Sequence, residues 1–248
     1  MIHLRLLGAV GLTGADGREA RVVVAQPKRV ALLAYLGAAR PYGFHRRDTL
    51  LALFWPELDE THARRALNRA VYFLRTELGD DVVVSRGAEE LGVAGDSVWC
   101  DVRAFDEAIA AERLEAALTL YRGDLLVGFF CETAPGFVRW LEGERDALRA
   151  RAAAAARALA TRHERSGSYT PAIGWARRAA DYAPEDERAL RRLIAILEKA
   201  GDRAGALRAY ESFAARLAAE LGISPSAETK AMVARLTAQS DSPPSIRS

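Results

Sequence analysis

The 248-residue sequence is poor in the features on which several classes of protein depend. It contains two cysteines, Cys100 and Cys131, which have neither the close spacing nor the histidine neighbours of a zinc site. The simplest expectation is two buried thiols in a reducing cytoplasm. No stretch reaches the roughly 20 apolar residues that a membrane-spanning helix needs, so no membrane association is expected. The apolar start MIHLRLLGAVGL carries Arg5 and lacks a small-residue cleavage site, which predicts a strand and a cytoplasmic protein.

Features of an enzyme are also scarce. The glycines behind the first predicted strand, Gly8, Gly11 and Gly14, lack the spacing of a phosphate-binding loop, and no helix opens directly after them. The 4 histidines are scattered without an evident nucleophile partner. The paired carboxylates of Glu89 and Glu90 lie in a predicted turn and not in a cleft. We therefore predict neither catalysis nor a cofactor nor a metal.

What the chain does have is an uneven distribution of charge. Overall it is 50% hydrophobic and 27% charged, an ordinary globular composition, with a net charge of only +2. Between residues 21 and 75, however, 10 basic residues face 4 acidic ones, an excess of 10 − 4 = 6 positive charges, and the rest of the chain is slightly acidic. A locally basic segment of this kind is typical of a surface that binds nucleic acid.

The order of predicted elements in the first half indicates a known DNA-binding layout. The elements are strands at 2–7 and 21–25, a helix from Pro27 to near Arg40, a helix in RRDTLLALFW, a helix capped by Asp59 or Thr61 and stopped at Gly79, a hairpin of VVVSR and ELGV, and a strand in SVWCD. Three helices followed by a hairpin form a winged helix, in which the third helix enters the major groove. The preceding strands resemble the OmpR-type variant of that fold.

The third helix contains the segment ARRALNRAVYFLR, which has two chemically different faces at about 100° per residue. The face predicted to be buried contains Ala63, Ala66, Leu67, Ala70, Val71, Leu74 and, just beyond the segment, Leu78. The opposite face contains Arg64, Arg65, Asn68, Arg69, Tyr72 and Arg75. No acid lies between His62 and Thr76, so these positive charges are expected to be unpaired. Arginine and asparagine bind base edges, and tyrosine binds phosphate. The alternative is a solvated helix surface, with His62 as a cap or surface residue.

From residue 101 onward the sequence predicts an all-helical domain. Two helical pairs superpose when Gly167 is placed over Gly201, and this offset matches the period of tetratricopeptide repeats, about 34 residues. Small and aromatic residues recur in the two units at positions where paired helices approach: Ala172, Ala176 and Ala179 in one unit, and Ala206, Tyr210 and Phe213 in the next. The alternative is an irregular helical bundle. In both cases this half is expected to pack helices and contact partners.

Several motifs resemble a known family. They are LYRG at 120–123, Trp140 with Glu144 and Arg145, and ELGISP at 220–225. Together they resemble the bacterial transcriptional activation domain, which follows a winged helix in regulators of the Streptomyces antibiotic regulatory protein class. DTLLALFWPELDETHARRALNRAVYFLRTELG likewise resembles the second and third helices of that winged helix. The resemblance implies an activator that binds double-stranded promoter DNA at tandem direct repeats, as a homodimer on those repeats, and recruits RNA polymerase.

The resemblance also assigns roles to the basic residues. Those that match the outer face of the family's third helix are expected to contact bases or phosphates: Arg64, Arg65, Asn68, Arg69 and Tyr72. Phosphate contacts are expected from Lys28, Arg46, Arg47, Arg75 and, at the hairpin tip, Arg86. For Arg46 and Arg47 a solvated helix start is an equal alternative. Where family wings carry an aromatic residue, this chain has Ala88 followed by two acids.

The predicted domain division follows from these assignments. Residues 1–100 form the winged helix, residues 101–238 form the tetratricopeptide-like activation domain, and residues 239–248 form a disordered polar tail. The fold class is therefore mainly α, with an α+β winged helix ahead of an all-α repeat domain. The competing function is a protein-interaction adaptor in which the first half only scaffolds. Binding to promoter DNA would separate the two.

Overall fold

A computed structural model describes residues 1–131 and 133–238 of the chain, so the predicted polar tail at 239–248 lies outside the described residues. The chain divides into two compact units, one spanning Met1–Leu148 and the other beginning at Arg149. Each unit has its own hydrophobic core, and each is described separately below.

The N-terminal unit combines two small sheets with helices. Its elements in chain order are β1 (Ile2–Arg5), β2 (Gly11–Thr13), α1 (Arg21–Val24), α2 (Pro27–Ala38), β3 (Phe44–Arg46), α3 (Arg47–Phe54), α4 (Glu60–Leu78), β4 (Val83–Arg86), β5 (Glu90–Val93), β6 (Val98–Cys100), α5 (Asp101–Ala110), α6 (Leu114–Leu120) and the first part of α7 (Pro135–Arg165). One sheet has β1 between an antiparallel β2 and a parallel β6. The other has β5 between β3 and β4, both antiparallel to it. This arrangement confirms the winged-helix prediction.

Three local features of this unit differ from the sequence prediction. The first is strand β2 (Gly11–Thr13), which lies where no strand was predicted and pairs with β1. The run at 21–25 is not a strand but begins with the one-turn helix α1, in which Val24 N bonds to Ala20 O at 3.2 Å. Local hydrogen bonds and the burial of Val23 override the strand preference of three consecutive valines. Strand β3 was not predicted, because its pairing with β5 depends on Gly92. A Cβ there would lie 2.6 Å from the carbonyl oxygen of Gly43.

Helix α4 has the boundaries and the orientation that its sequence predicts. Asp59 caps it by accepting a hydrogen bond from His62 N at 3.0 Å, and Gly79 ends it with a φ of 109°. The predicted apolar face is buried from Ala63 to Leu74, with Leu67 and Leu74 fully inaccessible, and only Leu78 at the helix end is half-buried. Burial of this face fixes the direction in which the opposite, polar face points.

Helix α5 and the first part of α7 belong to the same compact unit as the winged helix because they complete its core. The buried carboxylate of Asp101, the first residue of α5, accepts hydrogen bonds from Leu6 N at 2.8 and 3.0 Å. Trp140 on α7 contacts Tyr35 on α2, with ring centroids 4.8 Å apart. The predicted functional boundary after residue 100 stays a prediction. The boundary between the two compact units is a different one, and it falls within α7, between Leu148 and Arg149.

The motif residues around α7 stabilise this packing. Glu144 forms an ion pair with Arg40, which follows α2. The Arg145 guanidinium donates to the carbonyl oxygens of Leu125 and Leu126, both at 2.7 Å. A charged group at each position satisfies partners within the protein, so these motif residues hold the fold together.

The second unit is a series of packed helices joined by short connections. After the end of α7 come α8 (Tyr169–Tyr182), α9 (Glu187–Lys199), α10 (Arg203–Leu221) and α11 (Ala227–Ala238), and α9 packs against the other three. Gly167 and Gly201, which occupy equivalent positions in the two helical pairs, both take a left-handed φ, of 72° and 77°. Each therefore turns the chain between paired helices. Ala172, Ala176 and Phe213 are buried where the helices meet, which confirms the tetratricopeptide-like prediction.

The ELGISP motif has a structural explanation in this unit. Gly222 ends α10 in the left-handed conformation, with φ 67° and ψ 18°. Beyond the motif, the Glu187 carboxylate on α9 accepts a hydrogen bond from Ser226 N at 2.9 Å and from the hydroxyl of the buried Thr229. The motif therefore ends α10, and the residues directly after it attach the next helix, α11, to α9.

The two cysteines and the lack of long apolar segments led to two expectations about this structure. Cys100 and Cys131 are both free and buried, and burial raises the pKa of the Cys100 thiol to about 12. Within the ranges that the structure describes, no helix is both long enough and apolar enough to cross a bilayer.

Candidate nucleic-acid interface

The outward face of α4 presents four exposed side chains that can bind DNA. They are Arg65, Asn68, Arg69 and Tyr72, and Tyr72 is 73% exposed, which is unusual for an aromatic ring in a monomer. Within the described part of the chain, Arg65 and Arg69 have neither an ion pair nor a side-chain hydrogen bond. The guanidinium groups of Arg65 and Arg69 thus carry unneutralised charge one helical turn apart, with the amide of Asn68 beside them.

The amide of Asn68 is held in place by Arg47 from α3. Arg47 Nη1 donates to Asn68 Oδ1 at 2.9 Å, and because a guanidinium can only donate, the amide oxygen must face it. The NH₂ group of Asn68 is then directed away from Arg47. Arg47 is itself half-buried, its Nε has no partner, and burial lowers its pKa. Arg47, the first residue of α3, therefore lies half-buried behind the outward face of α4.

Arg64 departs from the expectation that the charges of this face are unpaired. It lies 2.9 Å from Glu60 on its own helix, 3.2 Å from Asp48 on α3 and 3.7 Å from Glu89 in the hairpin turn. Its hydrogen bond with Glu60 raises the pKa of Arg64. The prediction of unpaired charge is thus wrong for Arg64. Glu60 lies two residues before the acid-free stretch that begins at His62, and Asp48 and Glu89 belong to other elements that a single helix pattern cannot include.

Arg75, at the far end of the same face, connects the helix to the hairpin. Its Nε donates to the carbonyl oxygen of Val83 at 2.7 Å, and its Nη2 donates to Ser85 Oγ at 3.4 Å. Both partners lie on β4. Arg75 therefore fixes the hairpin relative to the helix, and its guanidinium already has two partners within the protein.

The remaining predicted phosphate contacts also have acidic partners. Arg86 lies at the end of β4, where its Nε is 2.5 Å from Glu90 and its guanidinium stacks on the Phe44 ring at 4.6 Å. Arg46 is 3.5 Å from Asp48, and Lys28 is 3.5 Å from Glu57. Ion pairs that are at least partly exposed, as these are, contribute only about 0 to 1 kcal/mol, so they can be exchanged for another anion.

One basic residue near this face was missed by the sequence analysis. Arg29, on α2, places its guanidinium carbon 3.8 Å from the centroid of the Phe73 ring on α4. The signal that could have found it is its place beside Lys28 in the basic segment. The contact with Phe73 joins two helices and could not be read from either one alone.

The geometry supports binding to a polyanion that has hydrogen-bonding groups. The exposed guanidinium and amide groups can form the bidentate contacts that purine edges accept in a major groove. The hairpin lies beside α4, fixed by Arg75, and carries a further guanidinium at Arg86. Whether any of these side chains contacts DNA stays a prediction.

Comparisons with known proteins bear on both halves of the chain. A family model described as bacterial transcriptional activator domain matches residues 100–237. Among solved structures, the chain is similar to EmbR of Mycobacterium tuberculosis in complex with a low-affinity phosphopeptide, with 25% sequence identity and a TM-score of 0.61. The alignment covers 96% of this chain and 65% of the EmbR chain, so the sequence spans just under two thirds of that neighbour's length. No match was found among curated proteins.

Proposed function

The chain belongs to the bacterial transcriptional activator domain family, and from this premise we propose that it binds promoter DNA sequence-specifically and activates transcription. Family and fold point to a regulator and not to an enzyme. The cytoplasm, where promoter DNA and RNA polymerase are found in bacteria, is then its place of action.

The observation that carries the proposal is the exposed face of α4. Asn68 suits the N6 and N7 atoms of adenine, and Arg65 and Arg69 suit the O6 and N7 atoms of guanine. Tyr72 can donate its hydroxyl to a phosphate oxygen. These groups are exposed together on one helix whose opposite face is anchored in the core. The alternative, an ordinary solvated surface, gives no reason for Arg65 and Arg69 to lie beside Asn68 without an acidic partner among the described residues.

The other predicted contacts take supporting roles in this proposal. Arg47 orients Asn68, and Arg64 and Arg75 hold α4 against its neighbours. Lys28, Arg46 and Arg86 flank the reading face and would exchange their carboxylate partners for phosphates, because exposed ion pairs contribute little.

We assign the contact with the transcription machinery to the helical repeats. Repeat helices present extended surfaces that suit protein partners, here RNA polymerase and a second copy of the chain on adjacent direct repeats. On this proposal the winged helix selects the DNA site, and the helical repeats recruit RNA polymerase to it.

The test begins with selection of bound sequences from random double-stranded DNA by the full chain. Enrichment of a defined motif, arranged as direct repeats, is the expected result. Transcription from a promoter bearing that motif should then rise when the chain is added to purified RNA polymerase. The control is the triple variant Arg65→Ala, Asn68→Ala, Arg69→Ala, which should melt at the wild-type temperature but enrich nothing. If the wild-type chain enriches no motif, the adaptor alternative replaces this proposal.

A further inference from the structure

A groove of about 500 Å³ runs beside α4, on the side of the helix that faces the start of α2. Its walls are formed by Arg29, Asn68, Arg69, Tyr72, Phe73 and Thr76. These lining residues include two arginines and no carboxylate. The groove therefore adjoins the proposed reading face and is positively charged.

Arg29 is held in this groove in an unusual state. Its guanidinium lies flat enough on Phe73 to bring its central carbon 3.8 Å from the ring centroid, and the residue is half-buried. Within the residues that the structure describes, none of its guanidinium nitrogens has an acceptor. Its neighbour Lys28, by contrast, has Glu57 at 3.5 Å. Arg29 is thus a charged group whose position is fixed by stacking and not by an anion of the protein.

Stacking leaves the donors of a guanidinium available. The ring covers one face of the group, whereas the five N–H donors lie in its plane and point outward from its edge. A group already fixed in this way loses little conformational freedom when an anion binds. A phosphate oxygen pair matches the edge of a guanidinium in a bidentate manner.

We propose that Arg29, together with Tyr72, forms a binding subsite for a single backbone phosphate of DNA. This inference rests on the proposed function and extends it. The subsite lies next to Asn68, so a phosphate bound there sets the register in which α4 meets the base edges. Arg29 is accordingly a positioning contact that carries no sequence preference of its own.

The experiment compares the full-length wild type with Arg29→Met and Arg29→Lys on the selected motif and on random DNA. Methionine keeps apolar cover over Phe73 and removes the charge, whereas lysine keeps the charge and removes the planar fork. The matched control is Arg235→Ala, an exposed arginine on α11 in the other compact unit. Thermal unfolding of each variant accompanies the titrations.

The expected result is a loss of affinity that is the same for both DNAs. Arg29→Met should bind roughly tenfold more weakly, as expected for a charge-assisted hydrogen bond. The slope of log affinity against log salt should become shallower by about 0.9, the value for one phosphate. Between about 50 and 200 mM salt, wild type should therefore lose about 3.5-fold more affinity than Arg29→Met. Arg29→Lys should retain the wild-type slope with weaker binding, and Arg235→Ala should match wild type.

Phosphate ethylation interference locates the contact. Wild type and Arg235→Ala should share a set of sensitive phosphates, and Arg29→Met should lose sensitivity at one position of that set. An unchanged slope and an unchanged set in a folded Arg29→Met variant would overturn the subsite while leaving the proposed function intact. If wild type selects no motif and binds no DNA, the proposed function itself has failed. Binding of an acidic peptide in place of DNA would likewise reject the phosphate assignment.

Discussion

The hydrogen bond between Arg47 and Asn68 allows a direct test of the proposal that α4 reads DNA. The relevant variants are Arg47→Ala, Asn68→Ala and the double variant. If Arg47 acts through Asn68, its removal frees the amide to rotate and weakens the contact with one base, although Arg47 never touches that base. The bond is 2.9 Å long and its donor is charged.

The magnitudes follow from the type of each contact. Loss of a bidentate base contact in Asn68→Ala should cost about 1 to 3 kcal/mol for the selected motif, or about 5- to 150-fold in affinity. We expect Arg47→Ala to cost about 1 kcal/mol, since the amide keeps its chemistry and loses its orientation. The double variant should bind almost as well as Asn68→Ala alone, giving a coupling energy of about 1 kcal/mol. Random DNA should bind all four proteins with similar affinity.

Fluorescence anisotropy with the two DNAs measures the cycle, and thermal unfolding shows whether each variant is folded. Arg47 Nε has no hydrogen-bond partner in the described part of the chain, so the Arg47→Ala change leaves no buried acceptor unsatisfied there. We therefore expect the free energy of unfolding to change by no more than about 1 kcal/mol. Additive losses, or an Arg47→Ala loss that is equal on random DNA, would refute the positioning role. In that case Arg47 would be the direct phosphate contact that the sequence first indicated.

Three further predictions concern the same unit. Leu67→Ala should lower stability by about 2 to 5 kcal/mol in thermal unfolding, since its side chain is fully buried, whereas Asn68→Ala should change it by no more than about 0.5 kcal/mol; equal melting temperatures would mean that α4 is oriented differently. Glu89→Gln removes a negative charge 3.7 Å from Arg64 and should raise affinity for all DNA by about 2- to 5-fold, measured by the same titration, and unchanged affinity would place the hairpin turn away from phosphates. A fragment of residues 1–148 should show a cooperative melt and a fragment of residues 1–100 should not, because the shorter one lacks partners of the N-terminal core; a cooperative melt of the shorter fragment would contradict this.

Much of the fold could be predicted because its signals are local. The buried face of α4 follows from the spacing of apolar residues, its start from Asp59 and its end from Gly79. The repeat period was visible as the separation of Gly167 and Gly201, which turn out to have the same left-handed backbone. The predicted family resemblance is confirmed by the match over residues 100–237.

The parts that could not be predicted depend on contacts between distant segments. The charge of Arg64 is balanced by Asp48 on α3 and Glu89 in the hairpin turn, both far from it in the sequence. Strand β3 exists because β5 offers it an edge with a glycine at the point of closest approach. A pattern within one segment contains no information about which other segment packs against it.

The family resemblance is likewise carried by residues that hold the fold together. The motifs that carry it are structural: Trp140 packs on Tyr35, Arg145 holds two backbone carbonyls, and Gly222 ends α10. Changing any of them would disturb packing or leave buried groups without partners. The side chains of Arg65 and Arg69 satisfy no partner in the part of the protein that the structure describes, so the fold places no demand on their identity. The resemblance therefore specifies the scaffold and the orientation of α4, whereas the DNA sequence preference that we propose would depend on side chains that the scaffold leaves free to differ.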